Sequence, residues 1–103
     1  MKQKYFVNSF YLPSGLSVME SRLADLARAS MHCVYDRPSL EAYADYLQKR
    51  QDLFYSQNRR AKPVEISVDF HDNLPSRDVT FRIGRMWIPV LKVEKEILED
   101  GAG

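Results

Sequence analysis

The residues best suited to acid–base chemistry lie close together in the second half of the chain. Asp69 and His71 are two residues apart in a segment that alternates apolar and polar side chains, so both point to one face of a predicted strand. Asp72 follows at once. A histidine beside carboxylates is the usual equipment of a general acid–base catalyst, and a small enzyme with an Asp/His site is one alternative for this chain. The polar face of any amphipathic strand has the same composition.

Other reactive side chains do not form a recognisable site. His32 and Cys33 are neighbours in a predicted helix, where adjacent side chains point to different sides and chelate a metal poorly. Cys33 continues the apolar stripe of that helix, which favours a role as a small core residue. The glycines at 15, 84, 101 and 103 form no phosphate-binding loop. We therefore expect no catalytic residue, no metal and no cofactor.

A group of basic residues follows the second predicted helix and its exit, with Tyr46 and Tyr55 interleaved. The basic residues are Lys49, Arg50, Arg59, Arg60 and Lys62. Cations beside aromatic rings bind single-stranded nucleic acid by backbone contact and base stacking. The net charge of the chain is only +1, and cations also stabilise the end of a helix through its dipole. Nucleic-acid binding is the first alternative, ahead of the small enzyme, and it is less favoured than binding to a protein.

The segment 85–91 (RMWIPVL) has more apolar side chains than one face of a strand can bury. Tryptophan, methionine and arginine are enriched at the centres of protein interfaces. We predict that Arg85, Met86 and Trp87 bind a partner, with Tyr46 and Tyr55 as weaker candidates. The favoured function is a non-enzymatic protein-interaction module, a regulatory or inhibitory protein of bacterial or phage-like type. Its partner is another protein or, as a homodimer, a second copy.

Two helices are predicted in the first half of the chain. A first strand over 4–12 ends at a Pro-Ser-Gly turn, and a helix over 17–34 begins with a capping box of Ser17 and Glu20. Pro38 ends that segment, because proline disfavours helical geometry in the residue before it. Ser39 is the predicted cap of a second helix that extends to residue 59.

The second half is predicted to be a meander of strands. Apolar residues alternate over 64–71 and 79–83, a tight turn lies at 84–85, and a third strand follows over 86–93. Pro89 cannot donate to a ladder, so this strand is expected at an edge or to end early; a helix over 89–99 is the alternative. The predicted fold is α+β: an N-terminal strand, a two-helix hairpin and a small antiparallel meander, with the helices on one face of the sheet.

Length and composition predict one globular domain over 1–103, with residues 100–103 disordered. The single cysteine excludes an intrachain disulfide and favours a reducing, cytoplasmic location. No stretch approaches the roughly 20 apolar residues of a membrane-spanning helix, so we expect no membrane association.

Overall fold

The computed structural model describes residues 3–74 and 76–93, and it has the expected α+β fold. Five antiparallel strands form one sheet in the order β2-β1-β5-β4-β3, and two helices pack on one of its faces. The elements are β1 (Lys4–Val7), α1 (Val18–Ala27), β2 (Val34–Tyr35), α2 (Arg37–Gln57), β3 (Ile66–Asp69), β4 (Val79–Ile83) and β5 (Met86–Val93). The predictions for 94–99 and 100–103 lie outside the described residues.

Strand β5 is the central strand of the sheet, so the prediction that it lies at an edge or ends early is wrong. It pairs with β4 on one side and with β1 on the other. The carbonyl of Pro89 accepts a hydrogen bond of 2.9 Å from the N–H of Asn8, just beyond the end of β1. The nitrogen of Pro89 points toward β1, as its carbonyl does. Because β1 ends at Val7, the hydrogen bond that proline cannot donate would fall just beyond the end of the β1–β5 ladder.

Helix α1 and strand β1 are both shorter than predicted. Helix α1 ends at Ala27, a 3₁₀ turn covers Arg28–Ser30, and residues 34–35 form β2. His32 takes the left-handed conformation, with a φ of 64°, and its N–H donates to the carbonyl of Val7. The backbone here therefore continues the sheet, and Cys33 is half-buried beside the sheet rather than in a helical stripe.

Helix α2 begins three residues earlier than predicted and is capped by Asp36 instead of Ser39. A carboxylate oxygen of Asp36 accepts from the Ser39 backbone N–H at 2.9 Å and also from the Ser39 hydroxyl. Pro38 lies in the first turn, where a missing N–H leaves no hydrogen bond unmade. Pro38 therefore lies at the start of α2 and does not mark the end of the first helix, as had been predicted.

The core lies between the inner face of the sheet and the two helices. Strands β4 and β5 contribute Phe81, Ile83, Ile88 and Val90, and the helices contribute Met19, Leu23, Leu40 and Leu47. The alternation predicted for β4 is confirmed, since its first, third and fifth residues are buried. The turn at 84–85 is also confirmed, because Ile83 pairs with Met86 and only Gly84 of the two turn residues has a positive φ. That pattern is typical of a type II′ turn.

Candidate functional site

Strand β5 divides its apolar side chains between the two faces of the sheet. Met86, Ile88 and Val90 point toward the helices and are 3%, 2% and 1% exposed. The residues between them point away from the helices, and Trp87 and Leu91 remain 59% and 38% exposed. Met86 is therefore a core residue, which corrects its predicted place on a contact surface. The expectation of a second, exposed apolar face on this strand holds for Trp87.

Two neighbouring strands extend this exposed apolar surface. Phe6 of β1 is paired with Leu91, and Val34 of β2 is paired with Phe6, so all three point to the same side of the sheet. Pro89 lies between Leu91 and Trp87 on β5. We call the apolar surface formed by Val34, Phe6, Leu91, Pro89 and Trp87 the outer face. The described helices pack on the opposite side of the sheet. On the outer face Phe6 is half-buried and the other four residues are exposed.

Trp87 lies beside Arg82 of β4, which pairs in turn with Glu65, the residue before β3. Its cross-strand partner is Arg82, whose guanidinium carbon lies 5.8 Å from the centre of the indole ring. The same guanidinium donates to Glu65 at 2.8 Å. A cation over an aromatic ring adds a modest attraction, and the ion pair fixes the arginine beside the indole. The outer face therefore presents a large aromatic side chain in a defined position.

Arg85 makes contacts within the chain, while its side chain remains 71% exposed. Its guanidinium donates to the carboxylate of Glu20 at 3.0 Å and to the carbonyl of Gly15, and its backbone N–H donates to Glu20 at 2.7 Å. Glu20 is 2% exposed and also completes the predicted capping box with Ser17. Hydrogen bonds from Arg85 lower the pKa of Glu20 to about 2. These contacts fasten the β4–β5 turn to the start of α1.

The two weaker candidates for partner binding, Tyr46 and Tyr55, do not lie with Trp87. Both are on α2, which packs on the other face of the sheet. They are nine residues apart, about two and a half helical turns, so they also point to opposite sides of α2. Tyr46 stacks on Tyr43 at 6.0 Å and is 46% exposed. The structure therefore does not bring the five predicted contact residues together. Met86 lies in the core and Arg85 in the β4–β5 turn, whereas Trp87 lies on the outer face. Tyr46 and Tyr55 lie on α2.

The basic residues of the nucleic-acid alternative belong to α2 and the segment after it. Lys49 pairs with Asp45 at 3.0 Å in an exposed ion pair one helical turn apart. Arg50, Arg59, Arg60 and Lys62 are exposed. None of the five is on a strand, so the structure does not place them beside the aromatic side chains of the outer face.

The predicted acid–base cluster is only partly assembled. His71 Nε2 lies 2.7 Å from the hydroxyl of Thr80, and its Nδ1 lies 3.4 Å from a carboxylate oxygen of Asp69. Asp72 points elsewhere and accepts from Arg37 at 2.6 Å. That arginine lowers the pKa of Asp72. The hydroxyl of Thr80, the imidazole of His71 and the carboxylate of Asp69 follow one another in the order of a catalytic triad. Asp69 is exposed, however, and these contacts connect the end of β3 to β4.

His32 and Cys33 make separate contacts. His32 Nε2 lies 3.0 Å from the hydroxyl of Ser9, and the ring of His32 is 6.3 Å from that of Phe6 at the margin of the outer face. Within residues 3–74 and 76–93, no three histidine, cysteine or carboxylate side chains are grouped so that they could hold a metal ion. In the same part of the chain, no helix is both long enough and apolar enough to cross a membrane.

No protein-family model, no curated protein and no solved structure matches this chain.

Sequence reasoning missed the two residues that widen the outer face, and the contact made by one inward-facing residue of α2. Phe6 and Val34 join Trp87 only because β1 pairs with β5, a contact between the two ends of the chain. Gln51 is 1% exposed and bonds both backbone groups of Val64. A polar residue at an inward helical position was the available signal for Gln51, but no local pattern predicts which strand joins which.

Proposed function

We propose that this protein is a non-enzymatic interaction module that docks another polypeptide on the outer face of its sheet. The observation that carries the proposal is Trp87, a large apolar side chain 59% exposed on the central strand of a sheet whose other face is the core. In the wider proposal the protein is a cytoplasmic regulator or inhibitor of bacterial or phage-like type.

The shape and chemistry of the outer face support a protein partner. Contiguous exposed apolar surface on a small soluble domain marks an interaction site more often than it marks chance exposure. Tryptophan is the residue type most enriched among those that dominate binding energy, and an aromatic ring in a fixed position loses little entropy on binding. Leu91, Phe6 and Val34 surround it with side chains that gain from the exclusion of water.

A protein partner fits this surface better than a nucleic acid does. Cations must accompany aromatic platforms for single-strand binding, and here the basic group at Arg59, Arg60 and Lys62 follows α2 while Trp87 is on the sheet. The cation that lies over the Trp87 ring, Arg82, is already paired with Glu65. The outer face is therefore mainly apolar and has little to offer a phosphate backbone.

The experiment is affinity purification from the native host with the wild-type protein and Trp87→Ala as parallel baits. We expect a defined polypeptide to be retained by the wild type and lost with Trp87→Ala. Tyr46→Ala is the matched control, because Tyr46 is also an exposed aromatic residue but lies in the helix layer. This control is expected to retain the same polypeptide.

Circular dichroism and thermal unfolding must show that Trp87→Ala is folded, as its exposure predicts. Retention of the same polypeptides by the wild type and Trp87→Ala contradicts the proposal. Loss with Tyr46→Ala and not with Trp87→Ala would assign the interaction to the helix layer. A complex with oligonucleotide that weakens steeply with salt and is lost with Arg59→Glu plus Arg60→Glu would favour the nucleic-acid alternative.

A further inference from the structure

We propose that the free edge of β3 is a second docking site, which takes an extended basic segment of another polypeptide as an added strand. β3 is the last strand in the sheet order, and within residues 3–74 and 76–93 it pairs with β4 alone. An open strand edge offers backbone donors and acceptors to a partner that is itself extended. This edge is separate from the outer face, so the inference does not depend on Trp87.

The register of β3 and β4 shows which backbone groups point toward the open edge. The N–H of Gly84 donates to the carbonyl of Glu65 at 2.7 Å, across the antiparallel pair. Because the direction of the backbone groups alternates along a strand, Ser67 also faces β4, whereas Ile66 and Val68 face away from it. Among the described residues, the backbone N–H and C=O groups of Ile66 and Val68 have no hydrogen-bond partner.

Gln51 already closes the neighbouring position of this edge. Val64 lies two residues before Ile66 and has the same orientation, and the amide of Gln51 bonds both its N–H and its C=O. A glutamine side chain carries the same amide group as the backbone, so Gln51 does for Val64 what a paired strand would do. The open stretch of edge therefore runs from Ile66 through Val68. The basic residues that precede Pro63 lie outside it.

The side chains of β3 define the chemistry of the segment that fits. Ile66 and Val68 are half-buried against the core, so apolar residues opposite them would complete that packing. The residue opposite Ser67 lies on the other side of the sheet and has Glu65 and Asp69 as diagonal neighbours, both of them exposed. Long basic side chains reach diagonal neighbours across a strand pair. The occupant is therefore a segment in which apolar residues alternate with lysine or arginine.

The same carboxylates disfavour a second copy of this chain as the occupant. Antiparallel pairing of two β3 strands through both Ile66 and Val68 places Glu65 of one copy opposite Asp69 of the other. Like charges directly opposite each other destabilise a strand pair. Arg82 pairs with Glu65 at 2.8 Å, but among the described residues no lysine or arginine pairs with Asp69. Acidic charge therefore exceeds basic charge along the open stretch, which suits a basic partner.

The experiment measures amide hydrogen exchange by NMR on the full chain, with two synthetic peptides of about eight residues as probes. One peptide alternates valine with lysine, and the other alternates valine with glutamate. In the free chain the amides of Ile66 and Val68 should exchange fast and that of Ser67 slowly, because Ser67 alone of the three is bonded in the ladder. We expect the lysine peptide to slow exchange at Ile66 and Val68, and to bind at least about tenfold more tightly than the glutamate peptide.

Proline at position 68 tests the backbone contact, because it removes an N–H that points away from β4 and leaves the β3–β4 ladder intact. Val68→Pro should weaken binding of the lysine peptide at least about tenfold, whereas the matched variant Val68→Ile keeps the N–H and should bind normally. Asp69→Asn should weaken binding several-fold and guards against a folding defect in the proline variant. Trp87→Ala leaves this edge unchanged and should bind as the wild type does.

Unchanged exchange at Ile66 and Val68 in the presence of about 1 mM lysine peptide overturns the proposal, as does equal affinity for the two peptides. Normal binding by a folded Val68→Pro also overturns it. Loss of binding with Trp87→Ala would assign the peptide to the outer face, which contradicts this proposal and supports the proposed function. Slow exchange at Ile66 and Val68 that appears in the concentrated chain alone and disappears on dilution would make the occupant a second copy, against the basic partner proposed.

Discussion

The carboxylate of Glu20 accepts hydrogen bonds from both the backbone N–H and the guanidinium of Arg85, which is 65 residues away in the sequence. One oxygen of the same carboxylate also caps α1 through the N–H of Ser17. A single buried side chain therefore joins the start of a helix to the turn that orients β5. Because β5 supplies Trp87 and Leu91, this contact connects the helix layer to the position of the outer face.

Replacement of Glu20 by glutamine is expected to lower the free energy of unfolding by about 1–3 kcal/mol. Glutamine retains one acceptor oxygen but loses the charge that strengthens the bonds from Arg85. Urea unfolding of Glu20→Gln beside the wild type measures the difference. Glu41→Gln, in an exposed and loose ion pair with Arg37, is the control and should change stability by less than about 0.5 kcal/mol. Equal stabilities of wild type and Glu20→Gln would contradict the role given to this carboxylate.

The same pair predicts how stability depends on pH. The pKa of Glu20 is about 2 in the folded protein, below its ordinary value of 4.5. Between these values the unfolded chain binds the proton and the folded chain does not, so the stabilisation present above pH 4.5 is lost as the pH falls toward 2. The stability difference between wild type and Glu20→Gln should therefore shrink over that interval. A difference that stays constant would show that Glu20 titrates normally.

Gly84 is expected to be less tolerant of alanine than Gly15 is. Both have a positive φ, +57° at Gly84 and +82° at Gly15, so alanine is strained at either position. At Gly84 the added Cβ would also lie 2.5 Å from a carboxylate oxygen of Glu20, whereas at Gly15 nothing lies within 4 Å. We expect Gly84→Ala to cost at least about 1 kcal/mol more than Gly15→Ala in thermal or denaturant unfolding. The reverse order would contradict the described close approach.

Gln51 fastens α2 to the segment that leads into β3. Its amide donates to the carbonyl of Val64 at 3.0 Å and accepts from the N–H of Val64 at 2.6 Å. Gln51→Ala leaves both buried backbone groups without these bonds and should cost about 2–3 kcal/mol. Gln48→Ala is the control on the same helix, because the Gln48 amide donates to the exposed Asp52, and it should cost less than about 1 kcal/mol. Similar losses in both variants would show that the Gln51 bridge contributes little.

Removal of the contact between Thr80 and His71 distinguishes a structural role of these residues from a catalytic one. Thr80→Val removes the hydroxyl that lies 2.7 Å from His71 Nε2 but keeps the β-branched shape that suits a strand. If the row of Asp69, His71 and Thr80 is structural, the variant should lose about 0.5–1.5 kcal/mol of stability and retain its interactions. Hydrolysis of an activated ester by the wild type, abolished in Thr80→Val, would instead support the enzyme alternative.

Local features of the fold were predictable because each has a cause within a few residues. The alternation over Val79–Ile83, the capping box of Ser17 and Glu20, and the tight turn at Gly84 all appear as expected. The bounds of α1 were not predictable in the same way. Residues 28–35 have a helical pattern, but pairing of β2 with β1 satisfies their backbone better than another helical turn does.

Part of the candidate site was predictable and part depends on distant contacts. An apolar surplus around Trp87 is visible in the sequence, and one side chain of every adjacent pair on a strand must face away from the helices. Whether β5 lies at an edge or in the centre depends on its pairing with β1, which comes from the opposite end of the chain. Nothing local to Phe6 or Val34 indicates that they extend the surface formed by β5.

The most direct test of the docking surface is the accessibility of Trp87, the only tryptophan in the chain. Acrylamide quenching of its fluorescence reports exposure of that one side chain, which is 59% exposed in the isolated chain. We predict efficient quenching and red-shifted emission in dilute protein, with reduced quenching and a blue shift at high concentration or on addition of a captured partner. Emission and quenching that stay the same under all these conditions would contradict the claim that the outer face binds a polypeptide.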